Sequence, residues 1–160
     1  HQLVELDSIV LEAFRTARQL ARGQTLVLDP FGPASLCGDS DRLKQLVLIL
    51  LDNALSYTPA DGQVRLGLAE TAGGVAITVA DTGIGIAATD LPHVFERFYR
   101  ADPARTREPG GTGLGLAIAR WIADQHEGEI SIHSQPGQGT TVTVSLPRST
   151  APELSSPGSF

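Results

Sequence analysis

Residues 63–86 read QVRLGLAETAGGVAITVADTGIGI. Val64, Leu66 and Leu68 alternate with polar or small residues, as do Val75, Ile77 and Val79, and Gly73-Gly74 separates the two runs. Period-two alternation interrupted by a glycine pair predicts two strands, Gln63–Ala69 and Gly74–Ala80, each with one buried face. The same alternation carries Asp81 onto the face of Val75, Ile77 and Val79. A carboxyl at the buried end of an apolar strand is costly unless a fixed donor meets it. A ligand amino group would supply that donor; an aspartate capping a turn is the plain alternative. Gly83 and Gly85, lacking Cβ, would let the backbone approach a flat ring closely.

Outward from this pair, Leu43, Leu46, Val47, Leu50 and Ala54 recur at helical spacing and predict a helix from about Asp39 to Tyr57. Thr58-Pro59 ends it, since a residue before proline avoids the helical region. An earlier helix, capped by Asp7 or Ser8, is expected to reach about Arg22, where Gly23 stops it. Thr25–Leu28 reads as a short strand closed by the Pro30–Pro33 turn. From Asp81 to Thr112 periodicity fails, which predicts a functional lid, about residues 87–112. A third helix is expected over about Leu114–His126, then a hairpin of Glu129–Ser134 and Thr140–Leu146 around Pro136-Gly137. Residues 148–160, rich in Pro and Ser, read as a disordered tail. The expectation is one α+β domain over 1–147. It is a two-layer sandwich with three main helices on one face of a mixed, mostly antiparallel sheet.

The chain has 160 residues, 41% hydrophobic and 19% charged, with a formal net charge of −6. No basic stripe stands out, so a nucleic-acid partner is not expected. Cys37 is the single cysteine, which excludes an internal disulfide and fits a reducing interior. The longest apolar run, Leu46–Leu51, is far too short to cross a bilayer, so this segment is not expected in the membrane.

Asn53, Ser56 and Tyr57 stand at i, i+3 and i+4 and share one helix flank, offset from the Leu43/Leu46/Leu50 stripe. An asparagine amide oxygen is a hard donor suited to Mg²⁺. Residues 110–116, GGTGLGL, run into the third helix; such a turn offers free N–H groups and the positive dipole end to an anion. No Gly-Lys-Ser/Thr follows, so this is not the usual phosphate-binding loop.

The ordered set DNALSYTP (52–59), DTGIGI (81–86), FERFYR (95–100) and GGTGLGL (110–116) resembles the four boxes of sensor histidine kinase catalytic domains. These belong to the ATPase/kinase superfamily shared with gyrase, the Hsp90 chaperones and the MutL repair proteins. The resemblance implies a Bergerat-type ATP-binding fold with ATP and Mg²⁺ as cofactors. It implies Asn53 as the magnesium ligand, Tyr57 beside the nucleotide, and Asp81 as acceptor for the adenine amino group. Gly83, Gly85 and Ile86 would shape the floor, and Arg97 and Arg100 would reach the phosphates. Gly111, Thr112, Gly113, Leu114 and Gly115 would close over the triphosphate.

The implied reaction is transfer of the γ-phosphoryl group to a histidine on a separate helical dimerisation and phosphoacceptor domain, with a response regulator downstream. The implied location is the cytoplasmic part of a membrane-bound sensor. His93, His126, His133 and His1 lie outside any acceptor-type motif and read as structural or solvent-facing. Two departures stand out: Ile49, where the family commonly has asparagine and its hydrolysing relatives a glutamate base, and Ser56, where lysine is frequent. They leave open a nucleotide-binding module with weakened catalysis. A related serine-kinase anti-sigma factor is the third reading.

Overall fold

The computed structural model describes residues 2–96 and 115–148. Three helices, α1 (Leu6–Arg18), α2 (Ser40–Ser56) and α3 (Gly115–Gln125), pack on one face of a five-stranded sheet. The sheet runs β2 (Thr25–Leu28), β4 (Gln63–Glu70), β5 (Gly74–Asp81), β7 (Gly139–Pro147), β6 (Glu129–Gln135). Only β2 and β4 pair in parallel; the other neighbours are antiparallel. The expected two-layer sandwich is therefore present.

The core lies between the layers. Val64, Leu66 and Leu68 of β4 meet Val75, Ile77 and Val79 of β5 and Val142, Val144 and Leu146 of β7, and the helices cover them with Leu43, Leu46, Leu50 and Ile122. Removing that apolar surface from water is the main driving force for the sandwich. Helix α2 starts where expected, and Asp39 caps it: its Oδ1 accepts from the backbone N–H groups of Asp41 at 3.0 Å and Arg42 at 3.2 Å.

Four local readings change. Helix α1 stops at Arg18, not Arg22, because the Gln24 amide oxygen captures the Arg22 N–H at 2.6 Å and the apolar face has run out, Leu20 being 49% exposed. Strand β5 extends through Asp81. A second small sheet, β1 (Gln2–Glu5) paired antiparallel with β3 (Ser35–Gly38), was not read from the sequence. Each strand has four residues, too few for alternation to register; Val4 and Leu36, register partners across the pair, are buried in the main core. Arg148, assigned to the tail, is tied back: its N–H donates to Gly73 O at 3.0 Å and its carbonyl accepts from Cys37 N–H at 3.3 Å. Residues 149–160 lie outside the described residues. Among the described residues, no helix is long and apolar enough to cross a membrane.

Candidate nucleotide site

The carboxyl end of α2 is fixed from several sides. Thr58 Oγ1 donates to Ala54 O at 2.7 Å, and the Gln24 side-chain amide donates to Leu55 O at 3.1 Å and Thr58 O at 2.8 Å. These bonds satisfy carbonyls that a helix end otherwise leaves open. They hold in place the flank carrying Asn53, Ser56 and Tyr57, all half-buried. The Ser56 hydroxyl donates to Asp52 O at 3.0 Å and is thus engaged within the helix. Sequence reasoning missed Gln24, whose reach to α2 depends on a tertiary approach.

The DTGIGI loop is joined directly to that helix end. Ile84 N–H donates to Tyr57 O at 3.2 Å, and a Cβ on Gly83 would run into the same carbonyl. On the other side the loop meets the turn between β6 and β7. Gly137 N–H donates to Ile84 O at 2.7 Å, and Ile86 N–H donates to Ser134 Oγ at 2.7 Å. Gly85 has φ +78°, and a Cβ there would collide with Gln135 O; Gly139, at φ +102°, leaves room for Asp81 O. Ile86 is buried. The turn around Gly139 therefore forms part of the site's frame, a role that no local pattern announces.

Asp81 pairs with Val64 on one side and Thr140 on the other, both buried. Its Oδ1 accepts from Gly83 N–H at 2.8 Å and Thr140 N–H at 3.2 Å. Among the described residues the second oxygen receives no hydrogen bond. Burial raises the carboxyl above its ordinary 3.8, opposed by the two backbone N–H groups. The folded state thus holds this proton more tightly than the unfolded chain. As pH rises from 3.8 through the raised folded value, the ligand-free domain should lose stability. Asp52, also raised by burial, acts in the same direction. Asp81→Asn is expected to remove part of that decline in urea titrations at closely spaced pH; an unaltered slope would exclude Asp81 as its source.

The start of α3 completes the described part. A Cβ on Gly115 would lie 3.4 Å from Ile49 Cγ2, which puts the N-terminus of α3 beside the turn of α2 preceding Asn53. The positive dipole end of an 11-residue helix thus lies beside the turn of α2 that precedes Asn53. Arg120 lies over the Phe95 ring at 5.7 Å, holding the start of the third box against α3. The first residues of the expected lid form turns and a short 3₁₀ segment, Leu91–His93, with Val94 buried. Arg97, Arg100, Gly111, Thr112, Gly113 and Leu114 lie outside the described residues.

Asn53, Tyr57, Asp81, Gly83, Gly85, Ile86 and Gly115 are thus carried by three segments that meet around one end of α2. The chemistry of that set suits a nucleotide: an open acceptor at the floor, close backbone approaches, and a helix terminus with a hard oxygen donor nearby. Residues 38–150 match the family described as histidine kinase-, DNA gyrase B- and HSP90-like ATPases. The chain is 43% identical over 151 residues to the sensor histidine kinase YkoH of Bacillus subtilis, covering 90% of this chain and 33% of that protein. It is 41% identical over 152 residues to the sensor-like histidine kinase SenX3 of Mycolicibacterium smegmatis, covering 94% and 40%. The solved mycobacterial sensor histidine kinase MprB superposes with a TM-score of 0.80 at 30% identity, over 91% of this chain and 97% of that one. The chain spans between a third and two fifths of the length of these two curated relatives.

Proposed function

Because the chain belongs to the histidine kinase-, DNA gyrase B- and HSP90-like ATPase family, we propose that it is the ATP-binding kinase part of a two-component sensor. It passes the γ-phosphoryl group of ATP to a histidine on a separate helical dimerisation domain. The observation that carries this reading is Asp81: one carboxylate oxygen is held by two backbone N–H groups while the other stays open above a glycine-floored loop. The open oxygen accepts from the adenine amino group, and Gly83 and Gly85 let the ring lie against the backbone. Tyr57 flanks the nucleotide. The triphosphate then runs along α2 toward Asn53 and the N-terminus of α3.

Magnesium bound with the phosphates would supply charge neutralisation. Among the described residues no group of three His, Cys, Asp or Glu side chains is placed to hold a metal, which fits an ion brought in by the nucleotide with Asn53 as its protein donor. Arg97 and Arg100 take up phosphate charge, and Gly111, Thr112, Gly113 and Leu114 close over the triphosphate next to Gly115. The acceptor imidazole nitrogen forms the new bond to γ-phosphorus as the bond to the β–γ bridging oxygen breaks, releasing ADP. A response regulator takes the phosphoryl group from that histidine. The domain works in the cytoplasm as part of a membrane-bound sensor.

The isolated chain, lacking an acceptor-type histidine, should bind ATP and Mg²⁺ and remain unlabelled. With its cognate phosphoacceptor domain and γ-labelled ATP, label should appear on that domain. Ile49 against Gly115 and the Ser56 hydroxyl tied to Asp52 O favour a second reading, a nucleotide-binding module with weak or lost transfer. Confirmed nucleotide binding with an unlabelled acceptor domain would select it; failure to bind nucleotide would remove both.

A further inference from the structure

The face of β6 that packs on the core carries Ile130 and Ile132, and the same alternation brings Ser134 onto it. Register continues that face across the sheet: Ser134 pairs with Thr140 of β7, and Thr140 pairs with Asp81 of β5. One row deeper stand Ile132, Val142 and Val79, all apolar. The apolar layer therefore ends in a row of adjacent polar side chains, Asp81, Thr140 and Ser134. Directly opposed residues on one face of a sheet are close enough to interact. Thr140 Oγ1 and Ser134 Oγ do so at 2.8 Å. Thr140 is buried and Ser134 half-buried, so each hydroxyl needs a partner.

Ser134 Oγ stands where three groups meet. It accepts from Ile86 N–H at 2.7 Å, and it lies 3.0 Å from Gly139 O and 2.8 Å from Thr140 Oγ1. A hydroxyl offers one proton and two lone pairs. The Ser134 proton goes either to Gly139 O, with Thr140 donating back, or to Thr140 Oγ1. In both arrangements a lone pair is left for Ile86 N–H, so that bond is indifferent to the direction of the hydroxyl pair. Two bonds tie the DTGIGI loop to the β6–β7 hairpin, Gly137 N–H to Ile84 O and Ile86 N–H to Ser134 Oγ. The first joins backbone groups; the second ends on a side chain, so a substitution can remove it alone. Gly83 and Gly85 give the loop wide conformational freedom unless it is tied. Holding a loop in the form its ligand meets lowers the ordering cost of binding. We propose that Ser134 is a positioning residue: it clamps the end of the DTGIGI loop onto the polar row that contains Asp81, so that loop and acid meet the purine as one preset floor. Ser134 acts through Ile86 and Thr140, not by touching the nucleotide. The effect on purine binding rests on the function proposed above; the clamp does not.

The test compares the unsubstituted chain with Ser134→Ala and Ser134→Thr. In nuclear magnetic resonance spectra of the ligand-free chain, the Ile86 amide proton should carry the signature of a short bond, a downfield position with weak temperature dependence. Ser134→Ala should move it upfield and steepen that dependence, while the Ile77 amide in the middle of β5 keeps its position. Ser134→Thr retains the hydroxyl on a β-branched side chain suited to a strand, and should restore the Ile86 signal. Titrations with adenosine, ADP·Mg²⁺ and ATP·Mg²⁺ read the effect on the base. In Ser134→Ala all three affinities should fall together, about two- to twelvefold, the weight of one hydrogen bond, and Ser134→Thr should recover them. An Ile86 amide of the unsubstituted chain that behaves as a solvent-exposed loop amide overturns the clamp, whether or not the variants fold. An Ile86 signal unmoved by Ser134→Ala does the same. Unchanged affinities, a loss confined to ATP, or a loss that Ser134→Thr does not recover overturns the positioning role. Failure of the unsubstituted chain to bind any of the three ligands strikes the proposed function, and the positioning role with it, while the Ile86 signal still decides the clamp.

Discussion

Gly85→Ala is expected to lower the stability of the domain by about 2–5 kcal/mol, measured as a fall in the urea unfolding midpoint at unchanged slope. Two penalties add. An L-residue at φ +78° costs about 1–2 kcal/mol through its own backbone. The new methyl group would also overlap the Gln135 carbonyl, and relieving an overpacked contact costs typically about 1–3 kcal/mol. Moving the loop away would break the bonds from Gly137 to Ile84 and from Ile86 to Ser134. Gly137 supplies the control. It sits at φ +80° with nothing within 4 Å of a Cβ, so Gly137→Ala should show the backbone penalty alone. Equal losses in the two variants would mean that the close approach at Gly85 does not constrain the loop.

Asp81→Asn should weaken ATP binding about five- to 150-fold, equivalent to about 1–3 kcal/mol for one mismatched buried polar contact. Asparagine can keep Oδ1 accepting from Gly83 and Thr140, so the fold should survive. The open oxygen becomes an amide NH₂, a donor pointed at the donor amino group of adenine. Calorimetric titration with ATP·Mg²⁺ reads the change. A purine bearing a carbonyl at that position should recover part of the loss, because its acceptor now meets a donor. Unchanged ATP affinity would remove Asp81 from the pocket.

The strands β4 and β5 and the helix α2 were legible because their burial is one-sided and their apolar spacing repeats over whole elements. Asp81 was legible for the same reason: it continues a buried face that its neighbours define. The small β1–β3 sheet was not, because four residues with one or two apolar members look like any loop. Gly139 escaped because its task arises from register, which places it against the Asp81 carbonyl. His126 was read as structural or solvent-facing; it proves buried, and its partner 87 positions away could not be named from its neighbours. Gln24 reaches α2 across 31 and 34 positions and was equally silent. What failed to show in the sequence is long-range pairing of single polar groups, which leaves no periodic trace.

Strand β1 pairs with β3, and β3 in turn takes the carbonyl of Arg148 through Cys37. Gln2–Glu5 and Arg148 therefore lie at one corner of the sandwich, both bonded to β3. That corner is thus closed by backbone bonds that join the first strand, the third strand and the residue after the last strand, so a strain applied there is shared by both sheets and does not fall on one strand alone.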